Sequence, residues 1–219
     1  MPTPITQTLR QYGAALRTLL LLTVILGLAY PLAMTGFAQV AFGNNANGSL
    51  VRRGGTTVGS SLIGQGFTRP VLKNGQPTKD AKGNPVVEAD PKYFQSRPSA
   101  AGAGYDPTSS GASNLGPESK DLIASIKDRR ATAAALDGVS PAQVAPDALL
   151  ASGSGLDPHI SPAYAAQQVA RVARERGLDV AKVRALVTEH TQGRTLGFLG
   201  EPRVNVLELN VALDAAAQG

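Results

Sequence analysis

The sequence predicts a membrane-anchored α+β protein. One N-terminal transmembrane helix precedes a single mixed extracytoplasmic domain with short strands, long loops and about three to four helices. Three observations predict this. Residues 18–42 form a run of 25 positions without a charge. Residues 43–118 hold 13 Gly and 7 Pro among 76 positions, broken by short apolar pairs. From Pro117 onward, apolar residues recur at helical spacing between capping signals. A length of 219 residues with 42% apolar content fits one domain plus an anchor.

The uncharged run, as a helix, would extend roughly 37 Å at 1.5 Å per residue, enough to cross a hydrocarbon core of roughly 30 Å. Tyr12 and Phe42 lie near its ends, where aromatic rings favour the interface. A cleaved signal peptide is the competing reading: Arg10 and Arg17 would precede an apolar core, Pro31 would break the helix, and Gly36-Phe37-Ala38 offers a cut. Apolar character continues through Val40-Ala41-Phe42, which favours a retained anchor. Both readings place residues 1–17 in the cytoplasm and 43–219 outside, because Arg10 and Arg17 hold the short N-terminus inside. Arg52 and Arg53 pull against that asymmetry from beyond the span. Thr23, Gly27 and Pro31 are four apart on one helix face. Small residues there admit a second helix, and Pro31 frees the Gly27 carbonyl.

In the Gly/Pro-rich tract, Leu62-Ile63, Phe67, Val71-Leu72, Val86-Val87 and Tyr93-Phe94 sit at strand-like intervals. Asn74-Gly75 and Gly83-Asn84 mark turns, so residues 73–90 read as a polar surface excursion. Disorder is expected only around residues 44–49, where Asn47-Gly48-Ser49 is a formal glycosylation sequon. Leu122, Ile123, Ile126 and Leu136 then share a helical face. Ser161-Pro162 opens a second helix that Gly177 closes, and Asp179 caps a third that ends at Gly193. Residues 204–213 fit helix or strand; the Glu201-Pro202 start signal favours helix. Arg171, Arg174 and Arg176 with Glu175 read as a solvated face.

Composition removes several chemistries. The chain has no Cys, which excludes disulfides, thiolate zinc sites and thiol nucleophiles; its two His exclude a multi-His centre, so no metal is expected. Ser152-Gly153-Ser154-Gly155-Leu156-Asp157-Pro158-His159 is a Gly/Ser-rich loop before a helix, a pattern that can offer backbone N–H groups to an anion. It lacks the Lys-Ser/Thr ending of a phosphate-binding loop, and a tight turn capped by Asp157 is the simpler reading. Ser154, Asp157 and His159 lie within six residues, yet no Gly-x-Ser-x-Gly surrounds the serine, so no catalytic residue is assigned. Gln65 belongs to a second such loop, residues 59–67. Arg97 suits a carboxylate or phosphate, or staples its own loop. His190 reads as a helix-end residue. An exported domain makes nucleic acid an unexpected partner.

The blocks GSSLIGQGF, YFQSRPSAAG, YDPTSSGASNLGP, SGSGLDPHISP, RVARERGL and EHTQGRTLGFLGEPRVNVLELN follow one another behind a single apolar span. In that order they resemble the C subunit (KdpC) family of the bacterial Kdp potassium-transporting P-type ATPase, over about residues 16–213. The polar stretch 73–90 departs from that pattern as an insertion. The resemblance implies a non-catalytic accessory subunit in the bacterial cell membrane. Its partners would be a channel-like potassium-binding subunit, an ATP-hydrolysing P-type subunit, a small single-span subunit and the lipid bilayer. It also implies a role in raising the pump subunit's nucleotide affinity, with ATP held through the complex. Gln65, Arg97, Ser152, Gly153, Ser154, Gly155, Asp157 and His159 then become interaction or nucleotide candidates. The charge asymmetry places these residues opposite the cytoplasmic ATP pool. The alternative is an independent membrane-anchored module that binds a solute or cell-wall component.

Overall fold

Helix α1 (Pro4–Val24) runs into a five-residue π-helical segment, Ile25–Ala29, and on into α2 (Tyr30–Ala41). The computed structural model describes residues 4–81 and 83–217. Pro31 explains the π segment: it has no N–H to give and its ring crowds the preceding turn. The turn widens instead, and the Tyr30 N–H donates to the Ile25 carbonyl five residues back. The proline therefore bulges the helix rather than breaking it. The helix also begins at Pro4, well before the uncharged run expected at 18–42. A Cβ on Gly27 would stand 3.9 Å from Thr23 Cγ2, so these two share a face across the bulge. Gln7–Ala41 is long and apolar enough to cross a membrane.

The disorder expected at 44–49 is not found. Helix α3 (Gly43–Ala46) forms there, and the Asn47 side-chain amide donates to Gln39 Oε1 at 3.0 Å and to the Gly43 carbonyl at 2.6 Å. Short amide side chains close such turns through local hydrogen bonds, which a composition argument does not register.

The chain divides into two units at Leu50–Val51. In the second, β1 (Leu50–Arg53) pairs with β2 (Thr56–Ser60). Next come β3 (Thr68–Pro70), β4 (Leu72–Lys73), β5 (Gln76–Pro77) and β6 (Val87–Ala89). β4 and β5 form a hairpin inside the antiparallel β3–β6 pair, where Arg69 faces Glu88. Residues 73–81 and 83–90 are thus a mostly exposed excursion that carries these short strands.

Helix α4 (Lys120–Asp137) is capped by Ser119, α5 (Pro162–Arg176) by Ser161 and α6 (Val180–Glu189) by Asp179. Each cap side chain accepts a backbone N–H of its first turn. Gly138 and Gly177 end the first two in the left-handed conformation. Helix α6 stops short of Gly193: His190 closes it, with Nδ1 3.0 Å from the Leu186 carbonyl. Strand β7 (His159–Ile160) pairs with β9 (Arg203–Asn205), which also pairs with β8 (Thr191–Gln192), giving one antiparallel sheet. Helix α7 (Val206–Ala216) follows β9 directly, so residues 204–213 are strand and then helix. Asn205 makes the switch, its Oδ1 accepting the Glu208 N–H at 3.1 Å. Phe94, Ile160, Val172, Val183, Leu209 and Leu213 are among the core residues gathered between these helices and the sheet.

Arg171 is fully buried, not on a solvated face. Its Nε donates to Asp137 Oδ1 at 2.8 Å, its Nη1 to the Pro91 and Tyr93 carbonyls, and its Nη2 to Gln168 Oε1 at 2.7 Å. Arg176 also turns inward, 2.7 Å from Asp214 and 4.4 Å above the Tyr93 ring. Only Arg174 with Glu175 remains outside as expected. Removing one partner of a buried pair strands the other charge, at a cost of about 3–5 kcal/mol. Arg171→Met in the detergent-solubilised chain is expected to lose that much stability in thermal or denaturant unfolding. Arg174→Met should change little, and Arg171→Met with Asp137→Leu should recover part of the loss.

Candidate functional site

Three loops that are distant in sequence meet at residues 152–159. The Ser152 N–H donates to the Pro98 carbonyl, and the Ser154 carbonyl accepts from the Gly111 N–H at 2.9 Å and Ser110 Oγ at 3.0 Å. The Gly155 carbonyl accepts from Ser99 Oγ at 2.6 Å, and the Leu156 carbonyl from the Gly64 N–H at 2.8 Å. Within the loop, the Gly155 N–H donates to the Ser152 carbonyl, the Leu156 N–H to Ser154 Oγ, and the His159 N–H to Asp157 Oδ1. The N–H groups of Ser152, Gly155, Leu156 and His159 are therefore spent inside the protein. With those four groups so engaged, the segment is a turn that joins loops. Gly155 has φ +68°, and a Cβ there would come within 2.7 Å of Ala101. Gly64 is equally confined, by the Tyr105 ring and the Asp157 carbonyl.

Gln65 donates Nε2 to the Val58 carbonyl at 2.8 Å, and its own carbonyl accepts Ser96 Oγ, so it ties β2 to the 95–99 loop. Asn205 Nδ2 reaches the Ser61 carbonyl at 2.7 Å, and the Val206 N–H reaches the Pro158 carbonyl at 3.0 Å. The sheet and the start of α7 thereby fix the far end of the junction. Tyr105 donates its phenol to the Arg97 carbonyl, and burial pushes that phenol up to about 12.

Beside the junction lies a cleft of about 420 Å³ whose charged wall is Arg97, Asp147, Asp157, His159, Glu201 and Arg203. Arg97 Nη1 is 3.4 Å from Asp157 Oδ2 and its Nη2 is 3.5 Å from the Leu150 carbonyl, while its Nε is buried without an acceptor. The arginine thus reaches from its own loop to the 150–157 segment, with long contacts. His159 Nδ1 is 3.3 Å from Asp157 Oδ1. Burial pushes the Asp157 carboxyl up. The hydrogen bonds from the His159 ring and backbone, with the charges of His159 and Arg97, outweigh that and hold it below the ordinary range.

The structure brings Arg97, Asp157 and His159 together but not Ser154, whose Oγ is taken by the Leu156 N–H. Ser152 is buried, while Gly153 and Ser154 are exposed. Asp147 reaches the cleft from the 146–148 turn, Glu201 from the 193–202 hairpin and Arg203 from β9, and no local motif marks Asp147. Among the described residues no group of His, Asp and Glu is arranged to hold a metal ion. The cleft can present guanidinium, imidazole and carboxylate groups to a polar surface.

Gly155→Ala combines the left-handed φ with the Ala101 collision; each such fault costs on the order of 1–3 kcal/mol. The variant is expected to unfold at lower denaturant, whereas Gly153→Ala, with open space at its Cβ, should be near neutral. The depressed Asp157 carboxyl adds stability that is fully present above the unfolded value of about 3.9 and is lost as pH falls through the lower folded value. Denaturant unfolding of Asp157→Asn should show a shallower stability loss than the native chain when pH falls below about 4.

The chain matches the family described as K+-transporting ATPase, c chain, over residues 12–215. A protein of Kineococcus radiotolerans named potassium-transporting ATPase KdpC subunit is 53% identical over 217 residues, covering 99% of this chain and 100% of that one. Proteins with the same name from Streptomyces avermitilis and Rhodospirillum rubrum are 50% and 48% identical, covering 97% and 94% of this chain and 97% and 96% of theirs. Near-complete coverage on both sides includes the apolar helix, the junction and the cleft, and the chain belongs to the KdpC family of potassium-transporting ATPase subunits.

Proposed function

We propose that the chain is a non-catalytic accessory subunit of an ATP-driven, high-affinity potassium uptake complex in the bacterial cell membrane. It would stabilise the assembly of a channel-like potassium-binding subunit, an ATP-hydrolysing P-type subunit and a small single-span subunit. Family membership over residues 12–215 carries this reading. In it, residues 1–17 are cytoplasmic, 18–42 cross the bilayer, and 43–219 form one extracytoplasmic domain in which 73–90 is a surface insertion.

Physical chemistry supports the placement. The side chains of Leu19, Leu20, Leu21, Leu26, Leu32 and Phe37 are all exposed on the N-terminal helix. Apolar surface left in water forgoes about 25 cal/mol per Å², so lipid and neighbouring helices are its natural environment. Arg10 and Arg17 favour an inside N-terminus, and Arg53, which opposes them, is engaged by Asp214. The Thr23–Gly27 face and Pro31 then serve a partner helix, because small residues let backbones approach. Outside, Gln65, Arg97, Ser152, Gly153, Ser154, Gly155, Asp157 and His159 act as interaction residues that hold or border the cleft. The chain raises the pump subunit's nucleotide affinity through assembly; hydrolysis and phosphorylation reside on the P-type subunit.

Because the sequence lacks Cys, Ser154→Cys introduces a unique thiol at an exposed position. Membrane-impermeant reagents are expected to label it in intact cells; labelling only after lysis would overturn the topology. Deleting the chain is expected to abolish high-affinity potassium uptake and disperse the complex, as read by native electrophoresis of solubilised membranes.

A further inference from the structure

Between β8 and β9 the chain doubles back through residues 193–202, and the turn is tightly closed. Thr195 and Leu199 exchange backbone hydrogen bonds, both 2.9 Å. Arg194 Nη2 clasps both carboxylate oxygens of Glu201, at 2.9 and 2.7 Å, and the Gly197 N–H donates to the Arg194 carbonyl. A turn held this firmly would be expected to point polar side chains outward. Instead Leu196 is 79% exposed, Phe198 68% and Leu199 49%. Leu196 also sits at φ +54°, a left-handed conformation that leucine rarely adopts. The fold therefore holds three large apolar groups in solvent, one of them strained, and gains no core packing from them. Such a cluster points to a contact outside the chain.

The chemistry of the tip selects its occupant. A hairpin built to enter an anionic lipid surface would present unpaired cations beside its apolar groups. Here Arg194 is neutralised by Glu201 within the hairpin itself, and Arg203, the next cation along, lines the cleft. Three side chains fall far short of the roughly 1,200–2,000 Å² of a stable interface, so the tip suits a contact added to an assembly already held elsewhere rather than one that founds a dimer by itself. An uncharged, rigid apolar projection instead suits a preformed apolar pocket on a folded partner, and this family is by name a subunit of an ATPase. We infer that the 194–201 hairpin is a docking wedge whose Leu196, Phe198 and Leu199 insert into an apolar pocket on the extracytoplasmic face of an integral-membrane subunit of the same ATPase. This rests on the reading that the domain assembles outside the membrane with those subunits.

Phe198→Cys and, as an exposed control, Lys73→Cys each place one thiol in a chain that has none. Labelling by an impermeant maleimide is read on this chain by mass, in the assembled complex and in the full chain alone in liposomes and in detergent. Burial in a partner predicts that Phe198→Cys reacts roughly tenfold or more slowly only in the complex, while Lys73→Cys is unchanged. Leu196→Ser with Phe198→Ser should weaken retention in the complex roughly tenfold or more, the effect of losing an interface anchor. Equal labelling in the complex and alone overturns the inference. Protection in liposomes without partners also overturns it, in favour of lipid, and concentration-dependent protection in detergent overturns it in favour of a second copy. If the native chain fails to co-purify with the pump subunits, the assembly reading itself falls. An intact complex with a freely reactive Phe198→Cys rejects the wedge alone.

Discussion

The Arg171–Asp137 pair is the constraint on which the second unit depends. Both side chains are inaccessible to water, so every polar atom they carry needs a partner inside the protein. Asp137 takes Arg171 on one oxygen and Gln167 Nε2 on the other, at 2.6 Å. Arg171 directs Nη1 to the Pro91 and Tyr93 carbonyls and Nη2 to Gln168. A guanidinium offers five donors in a fixed fork, and this geometry forces the 91–95 segment to lie against α5 with its carbonyls aimed inward. Gln168 bonds both the N–H and the carbonyl of Gln95, and Asn210 does the same for Phe94. An extended segment without strand partners is thereby bonded like a strand, by side chains.

That segment and the residues just after it hold loops on both sides of it in the chain. Gln95 Nε2 donates to the Phe67 and Asp90 carbonyls, Ser96 to Gln65, and Ser99 to Gly155. Order passes from the buried pair, through a side-chain-braced strip, to the junction around residues 152–159. The Gly/Pro-rich tract thus needs little regular sheet: its backbone groups are satisfied one at a time by polar side chains.

Helix ends were legible because capping is local chemistry: Ser161, Asp179 and Gly177 act on residues within one turn of themselves. The α+β class and the apolar rod were legible for the same reason, since both are patterns along a short stretch. The fate of Arg171 was not. Apart from Gln168, its partners lie on α4 and in the 91–95 strip, far from it in sequence. The cleft illustrates the same limit, because Arg97, Asp157 and His159 stand in motifs while Asp147 arrives by topology. Residues 204–213 resisted a single assignment because Asn205 ends a strand and starts a helix at one residue. Disorder at 44–49 was inferred from composition, and Asn47 shows why that fails: its amide group supplies the hydrogen bonds that a polar, Gly-containing turn otherwise lacks.

The widened turn ahead of Pro31 carries a geometric consequence for any helix lying alongside. Exchanging a four-residue bond for a five-residue one adds one residue to the winding, so the halves above and below are rotated by roughly 100° from where an unbroken α-helix would set them. A straight neighbour cannot follow one stripe of side chains from end to end. It must meet Thr23 and its surroundings on one bearing and the Thr35–Ala38 region on another, which gives this rod a two-part address along its length.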